Sequence, residues 1–199
     1  MQSLLKELHE ERVSRSLKQA VFEYKNIKVT YLEKPGMALG SQMWGGAFEL
    51  ARHIIDHTEY FEDKKILEIG AGLGLPSVVA SHFGQVTCTD KSDVFDLMTE
   101  NIKLNTSSVE TLDYHWGDQS LGEFDVVMGA DIVYFDETFE PLYKTLLANT
   151  KYGSLFVLAY QPRVPNEVDF FMTLSQSFTE VRAYENDIIT VYHFLRDKN

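Results

Sequence analysis

The sequence predicts an α/β fold: a doubly wound, mostly parallel sheet that finishes in an antiparallel hairpin. Three observations predict it. From "KILEIG" onward, short continuous apolar runs alternate with helical stretches, which is how strands buried on both faces of a parallel sheet read. A glycine-rich turn, "EIGAGLGLP" (Glu68 to Pro76), leaves the first of these runs and opens a helix. The last two runs, "SFTEVRAY" and "IITVYHFLR", are separated by too few residues for a crossover helix, so they pair antiparallel.

In chain order, residues 3–19 carry Leu4, Leu5, Leu8 and Leu17 at roughly helical spacing and predict a helix. "VFEYKNIKVTYLE" alternates and is split by Lys25-Asn26, a β-hairpin pattern. A loop, "EKPGMALGSQ", leads to a helix running from Trp44 into the 50s. The strands that follow are "KILEIG", "QVTCTD", "TLDYHW", "FDVVMGAD" and "GSLFVLAY", with helices at 76–83, 93–104 and 137–149 between them. The expected organisation is one domain over 1–199, with 1–43 an N-terminal helix and hairpin extension and 44–199 a cofactor-binding core.

The 199 residues carry a formal net charge of -12. Such a chain is poorly suited to nucleic acid, whose affinity comes from Lys and Arg, and better suited to a cationic partner. No apolar run approaches bilayer length, and "MQSLLKELHEERVSRSLKQ" is too charged for a secretory signal. The single cysteine, Cys88, allows no internal disulfide. The expectation is a cytoplasmic protein with neither a membrane nor a nucleic-acid partner.

The glycine turn can be tested against known ligand chemistries. A nucleotide P-loop needs Gly and Lys where Leu75 and Pro76 stand, and a dinucleotide turn needs a third glycine where Leu75 stands. Glu68, ending the strand before the turn, would repel a pyrophosphate. S-adenosylmethionine has no phosphate, and its ammonium and sulfonium suit a carboxylate. Its own carboxylate suits N–H groups at a helix start, which Gly70, Gly72 and Gly74 allow to come close. Pro76 fits the first helical turn, where its missing N–H matters little. Asp90, closing "TCTD", can accept both ribose hydroxyls; dinucleotide sites use the same device, so Asp90 alone does not discriminate.

Taken with "SQMWGGAFELA", "ILEIGAGLGLPSVVA", "VTCTD", "ENIKLN", "WGD" and "FDVVMGADIVYFDETFEPL", the chain resembles the seven-β-strand lysine methyltransferases. Within them it is most similar to the methyltransferase-like proteins that modify chaperones and translation factors. The resemblance runs from about Gly40 to about Arg163. It implies a seven-stranded Rossmann-like sheet, S-adenosylmethionine as cofactor and a protein lysine as acceptor. It implies that Gly70, Ala71 and Gly72 line the methionine end and that Gly74 opens the helix. Asp90 would bind the ribose and Trp116, ending the third strand, would pack beside the adenine. Trp44 and the Ala130 backbone would contact the cofactor. Asp131 and Tyr134, in an Asp-x-x-Tyr motif, would stand at the acceptor site. Taken singly, Trp44 and Trp116 are also ordinary core residues. The resemblance implies a chaperone or translation factor as partner and a monomeric enzyme. A protein histidine or a small molecule as acceptor, or a non-catalytic cofactor-binding scaffold, stays open on these motifs.

"HIIDH" places His53 and His57 four apart on a helix, half of a zinc site, but Ile54 stands where a metalloprotease needs Glu. Both are expected to be exposed helix histidines, and no metal is expected. Cys88, mid-strand, is expected to be a buried small apolar residue.

Overall fold

The structure, a computed structural model, describes residues 17–106, 108–163, 166–186 and 188–197. Its elements are β1 (Lys18–Tyr24), β2 (Ile27–Glu33), α1 (Gly45–Asp56), β3 (Lys65–Ile69), α2 (Leu75–Ala80), β4 (Gln85–Asp90) and α3 (Ser92–Asn105). There follow β5 (Glu110–Asp113), β6 (Phe124–Ala130), α4 (Phe139–Asn149), β7 (Thr150–Tyr160), α5 (Glu167–Leu174), β8 (Phe178–Glu185) and β9 (Thr190–Arg196). The helix expected over residues 3–19 falls outside the described residues as far as residue 16; Leu17 is in no regular element, and Lys18 and Gln19 open β1 instead.

Seven strands form the main sheet in the order β5-β4-β3-β6-β7-β9-β8. β3 to β7 run parallel, and β9 lies antiparallel to both β7 and β8. The antiparallel ending is as the sequence predicts, and β9 takes the inner place. α5 makes that order possible by carrying the chain past the position β9 fills. The sequence pattern does not announce α5, because Val168, Phe170, Phe171, Met172 and Leu174 read as a nearly continuous apolar run; folding buries Phe170 and Leu174, four apart.

Strand periodicity divides the core. Ile66, Val126 and Val157 face α1, α2, α3 and the hairpin, while their neighbours Leu67, Val127 and Phe156 face α4 and α5. The two-residue turn Lys25-Asn26 joins β1 to β2, and Lys25 pairs with Asp56 at the end of α1 at 2.6 Å. The hairpin is fastened on its other edge by two asparagines of "ENIKLN". Asn101 accepts the Leu32 N–H at 2.7 Å and donates to the Leu32 carbonyl at 3.0 Å. One turn on, Asn105 does the same to Thr30, at 2.9 and 2.7 Å. The pair completes the free edge of β2 as a strand would.

The sheet order reverses between β3 and β6. The loops leaving those two strands therefore diverge to opposite faces and leave a crevice at the carboxyl edge.

Candidate active site

That crevice is a cavity of about 500 Å³, within the range of small-molecule sites. Trp44, Glu68, Gly70, Ala71, Gly72, Asp90, Trp116, Ala130, Asp131 and Tyr134 all line it. Gly74 alone among the expected residues does not; it caps α2 with a left-handed backbone, φ 78°. Glycine is required at two positions of the turn. Gly70 (φ 65°) would place a Cβ 2.9 Å from Trp116 and 3.0 Å from Ile132, and Gly72 (φ 58°) one 3.2 Å from the Gly40 carbonyl. Neither the backbone conformation nor the space admits a side chain.

The N–H groups of the turn differ from expectation. α2 is buried from Leu75 to Ala80, so its start is not open to a ligand. Ala71 N–H bonds to the Thr89 carbonyl at 3.0 Å, Gly74 N–H to Ala71 at 2.9 Å and Gly72 N–H to Asp90 Oδ2 at 2.7 Å. Asp90 Oδ1 accepts the Lys91 N–H at 2.7 Å, so this carboxylate is aimed by backbone at both oxygens. Burial raises its pKa, against the pull of the Gly72 and Lys91 N–H groups. Behind it, Glu68 is wholly buried and accepts the Ser77 hydroxyl. Burial pushes the Glu68 carboxyl up to about 8, opposed by its bonds from Ser77.

Trp116 does not end a strand. β5 stops at Asp113, the last residue opposite β4, and Trp116 stands in the loop beyond it. There its ring covers Gly70 and lies 6.2 Å, centroid to centroid, from Tyr134. Burial raises the Tyr134 hydroxyl pKa, with Lys91 lowering it and Asp90 raising it. Tyr134 thus senses the Asp90 side of the cavity.

Asp131 has other partners. It leaves β6 with φ 54°, a conformation that a residue with a side chain adopts only when held. Its N–H bonds to the Ala159 carbonyl at 2.9 Å. Its side chain, 5% exposed, places Oδ2 2.8 Å from the Gly46 N–H and 3.1 Å from Arg163 Nη2. Trp44 is the N-cap of α1 and has no side-chain acceptor to offer; Asp131 supplies the charge and the acceptor that the helix start favours. Oδ1 is buried without a hydrogen-bond partner. The Arg163 guanidinium lies over the Trp44 ring at 4.9 Å, while the Trp44 indole N–H bonds to the Leu39 carbonyl at 2.9 Å. Gly46 and Arg163 are the residues that sequence reasoning missed. The Gly45-Gly46 pair at a helix start was a usable signal, since a Cβ on Gly46 would stand 2.7 Å from Asp131 Oδ2. Nothing in the sequence marks Arg163.

These features fit S-adenosylmethionine. Asp90 and Asp131 both line the one cavity, most of the surface between its polar groups is apolar, and the carboxylates answer a cationic, phosphate-free ligand. Lys91 at the Asp90 end is paired with Asp93 at 3.2 Å.

Of the two histidines expected to be exposed, His57, the C-cap of α1, is half-buried and His53 is buried. His53 lies on the stripe of α1 that faces the sheet, with Leu50 and Ile54, and is buried against His193 of β9, their Nε2 atoms 2.7 Å apart. Tyr60, Tyr184 and His57 surround them. Burial lowers His53 to about 3 and His193 to about 4, with the neighbouring histidines adding to the effect. Cys88 is buried, as its strand position predicts. Among the described residues no three His, Cys, Asp or Glu side chains are placed to hold a metal ion, and no helix is long and apolar enough to cross a membrane.

Comparison with known proteins agrees with this geometry. The sequence matches the lysine methyltransferase family over residues 7–177. It is 30% identical over 169 residues to protein N-lysine methyltransferase METTL21A of Xenopus tropicalis, covering 79% of this chain and 77% of that one. It is 28% identical over 185 residues to EEF1A lysine methyltransferase 3 of the same organism, covering 87% and 82%. Among solved structures it is similar in fold, with a TM-score of 0.69 and 14% identity, to the T. thermophilus 16S rRNA N2 G1207 methyltransferase in complex with AdoMet and guanosine, covering 92% of this chain and 51% of that one. The chain belongs to the lysine methyltransferase family, whose members draw their methyl group from S-adenosylmethionine.

Proposed function

We propose that the two ends of the cavity divide the work of an S-adenosylmethionine-dependent protein-lysine methyltransferase. The Asp90 end holds the cofactor and the Asp131 end receives the lysine. The observation that carries this is the pair of buried carboxylates, one aimed by Gly72 and Lys91 N–H groups and one by Gly46, facing a single apolar cavity.

When bound, S-adenosylmethionine supplies a sulfonium-activated methyl group. The chain's own residues bind and orient around it. Gly70, Ala71 and Gly72 would let the backbone approach the methionine end, Glu68 would ionise to answer its cationic charge, and Asp90 would accept the ribose hydroxyls. Trp116 would wall the adenine and exclude water, Tyr134 beside it would bound the acceptor's pocket with Asp131, and Ala130 would bound the site by its backbone. Trp44 closes it from α1.

A lysine amine at pH 7 is mostly protonated, and freeing its lone pair costs about 4.6 kcal/mol. Burial in this cavity lowers that cost. Asp131 Oδ1, without a partner of its own, is placed to accept a lysine N–H and aim the nitrogen.

The chain's negative charge favours a protein that presents its lysine on a basic surface. The exposed Leu39 and Phe135 at the mouth of the cavity offer it apolar contact. Family resemblance supports a chaperone or translation factor as that protein, and a cytoplasmic, monomeric enzyme. The test is incubation of a cell lysate with methyl-labelled S-adenosylmethionine and the enzyme, followed by mass spectrometry of the labelled band. Label on lysine supports the proposal; label confined to histidine, a small molecule or RNA overturns it.

A further inference from the structure

The geometry points to Arg163 as an internal occupant of the acceptor seat: its guanidinium holds the place between the Trp44 ring and the Asp131 carboxylate that a substrate ammonium must enter. This rests on lysine being the acceptor. Arg163 would then set how strongly a substrate must bind before its lysine gains access.

The seat has the two parts that cation recognition needs, an aromatic face and a carboxylate. The guanidinium carbon is 4.9 Å from the Trp44 ring centroid and Nη2 is 3.1 Å from Asp131 Oδ2. Both distances lie within the ordinary reach of cation–π and ion-pair contacts. The carboxylate is buried, and a buried carboxylate is stable only when paired. Arg163 meets that need without saturating it, because Oδ1 still has no partner.

Arg163 is also placed to leave. Its side chain is 30% exposed against 5% for Asp131, and its guanidinium also donates to the Gln161 side chain at 3.0 Å, a contact open to solvent. It comes from the segment after β7, whereas Asp131 is fixed from three sides by Gly46, Ala159 and its own strand. Exchange of the guanidinium for an ammonium replaces one cation on the carboxylate with another. Asp131 therefore stays paired on both sides of the exchange. The apparent affinity for a substrate cation is reduced by the fraction of molecules whose seat is free, so a seat filled about nine-tenths of the time weakens binding about tenfold.

The probe is n-butylammonium, the head of a lysine side chain, titrated by NMR into enzyme saturated with S-adenosylhomocysteine. Arg163→Met and Arg163→Gln should each bind it about tenfold tighter than the parent enzyme, with S-adenosylhomocysteine affinity unchanged. Adding Asp131→Asn to Arg163→Met should remove the gain. Lys91→Met, whose cation lines the same cavity but pairs with Asp93, should gain less than about twofold, because the general field is a smaller effect than a vacated seat. A measurement on the unaltered chain stands beside these. Phenylglyoxal should modify Arg163 faster when n-butylammonium is present, because the guanidinium is released to water. Equal or weaker binding by both Arg163 variants, an equal gain in Lys91→Met, or an Arg163 modification rate that does not rise would overturn the inference. The two ideas fail separately: lysine labelling by the parent enzyme with any of those results leaves the acceptor assignment intact, whereas parent labelling of another residue type removes that assignment itself.

Discussion

The Asp131 carboxylate accepts the main-chain N–H of Gly46 at 2.8 Å, across 85 residues of sequence. One contact thereby caps α1, holds a left-handed residue at the end of β6 and aims a carboxylate into the cavity. Gly46→Ala tests it. Inside a helix that change ordinarily stabilises, by about 0.5–1 kcal/mol, but here the new Cβ would fall 2.7 Å from Oδ2. Methyl transfer should drop by about 10²-fold, and Asp131→Asn and Asp131→Ala should drop at least as far, with affinity for S-adenosylhomocysteine nearly kept. Labelled methyl transfer beside calorimetry decides. Normal turnover in Gly46→Ala would show that the aim of Asp131 is unimportant.

Asp90→Ala should do the reverse, weakening the cofactor while leaving the fold. A charge-assisted bond contributes about 1.5–3 kcal/mol, or about 10- to 150-fold in Kd. Gly72 and Lys91 lose an acceptor in the same variant, so some stability should go too. Unchanged affinity with lowered stability would make Asp90 a backbone cap alone.

Glu68 makes stability depend on alkali. Its folded-state pKa is raised from 4.5 to about 8, so across that window the folded protein holds a proton that the unfolded chain has lost. Stability is full below the lower value and falls as pH rises, by up to about 1.4 kcal/mol per pH unit. Glu68→Gln should flatten that slope in urea titrations between pH 6 and 8. A cationic cofactor favours the carboxylate, so its binding at pH 7 should release a proton, read as a dependence of the binding enthalpy on buffer; Glu68→Gln should abolish it. A slope that persists in the variant would assign the effect elsewhere.

His53 and His193 act on the acid side. Their folded values, about 3 and about 4, lie below the ordinary 6.5, so the unfolded chain binds protons that the folded one refuses. The stability they support is present above pH 6.5 and lost as pH falls toward 4. Between 6.5 and 5 each ring should account for about 2 kcal/mol, partly masked by the opposite slope from Glu68. His193→Gln removes one titrating ring, so its urea midpoint should fall less than the parent's on going from pH 7 to pH 5. An equal fall in both proteins would exclude the pair as the acid-sensitive element.

The sequence by itself determined the elements whose signals are local. Continuous apolar runs marked β3 to β7, the short link marked the closing antiparallel pair, and the glycines with Glu68 and Asp90 marked a phosphate-free ligand at the edge of the sheet. Backbone conformation and strand periodicity act over a few residues, so they can be read there. The tertiary structure decided what depends on meetings between distant segments. α5 was hidden because its apolar run has no clear period until folding selects Phe170 and Leu174 for burial. His53 looked exposed because its partner, His193, lies 140 residues away. Trp116 looked like the end of a strand, but pairing stops where β4 stops, and only the fold lays its ring over Gly70. Asp131 could be named from its motif, but its aim could not. Gly46 comes to it from α1 and Arg163 from the segment after β7, and a buried carboxylate points where its donors hold it.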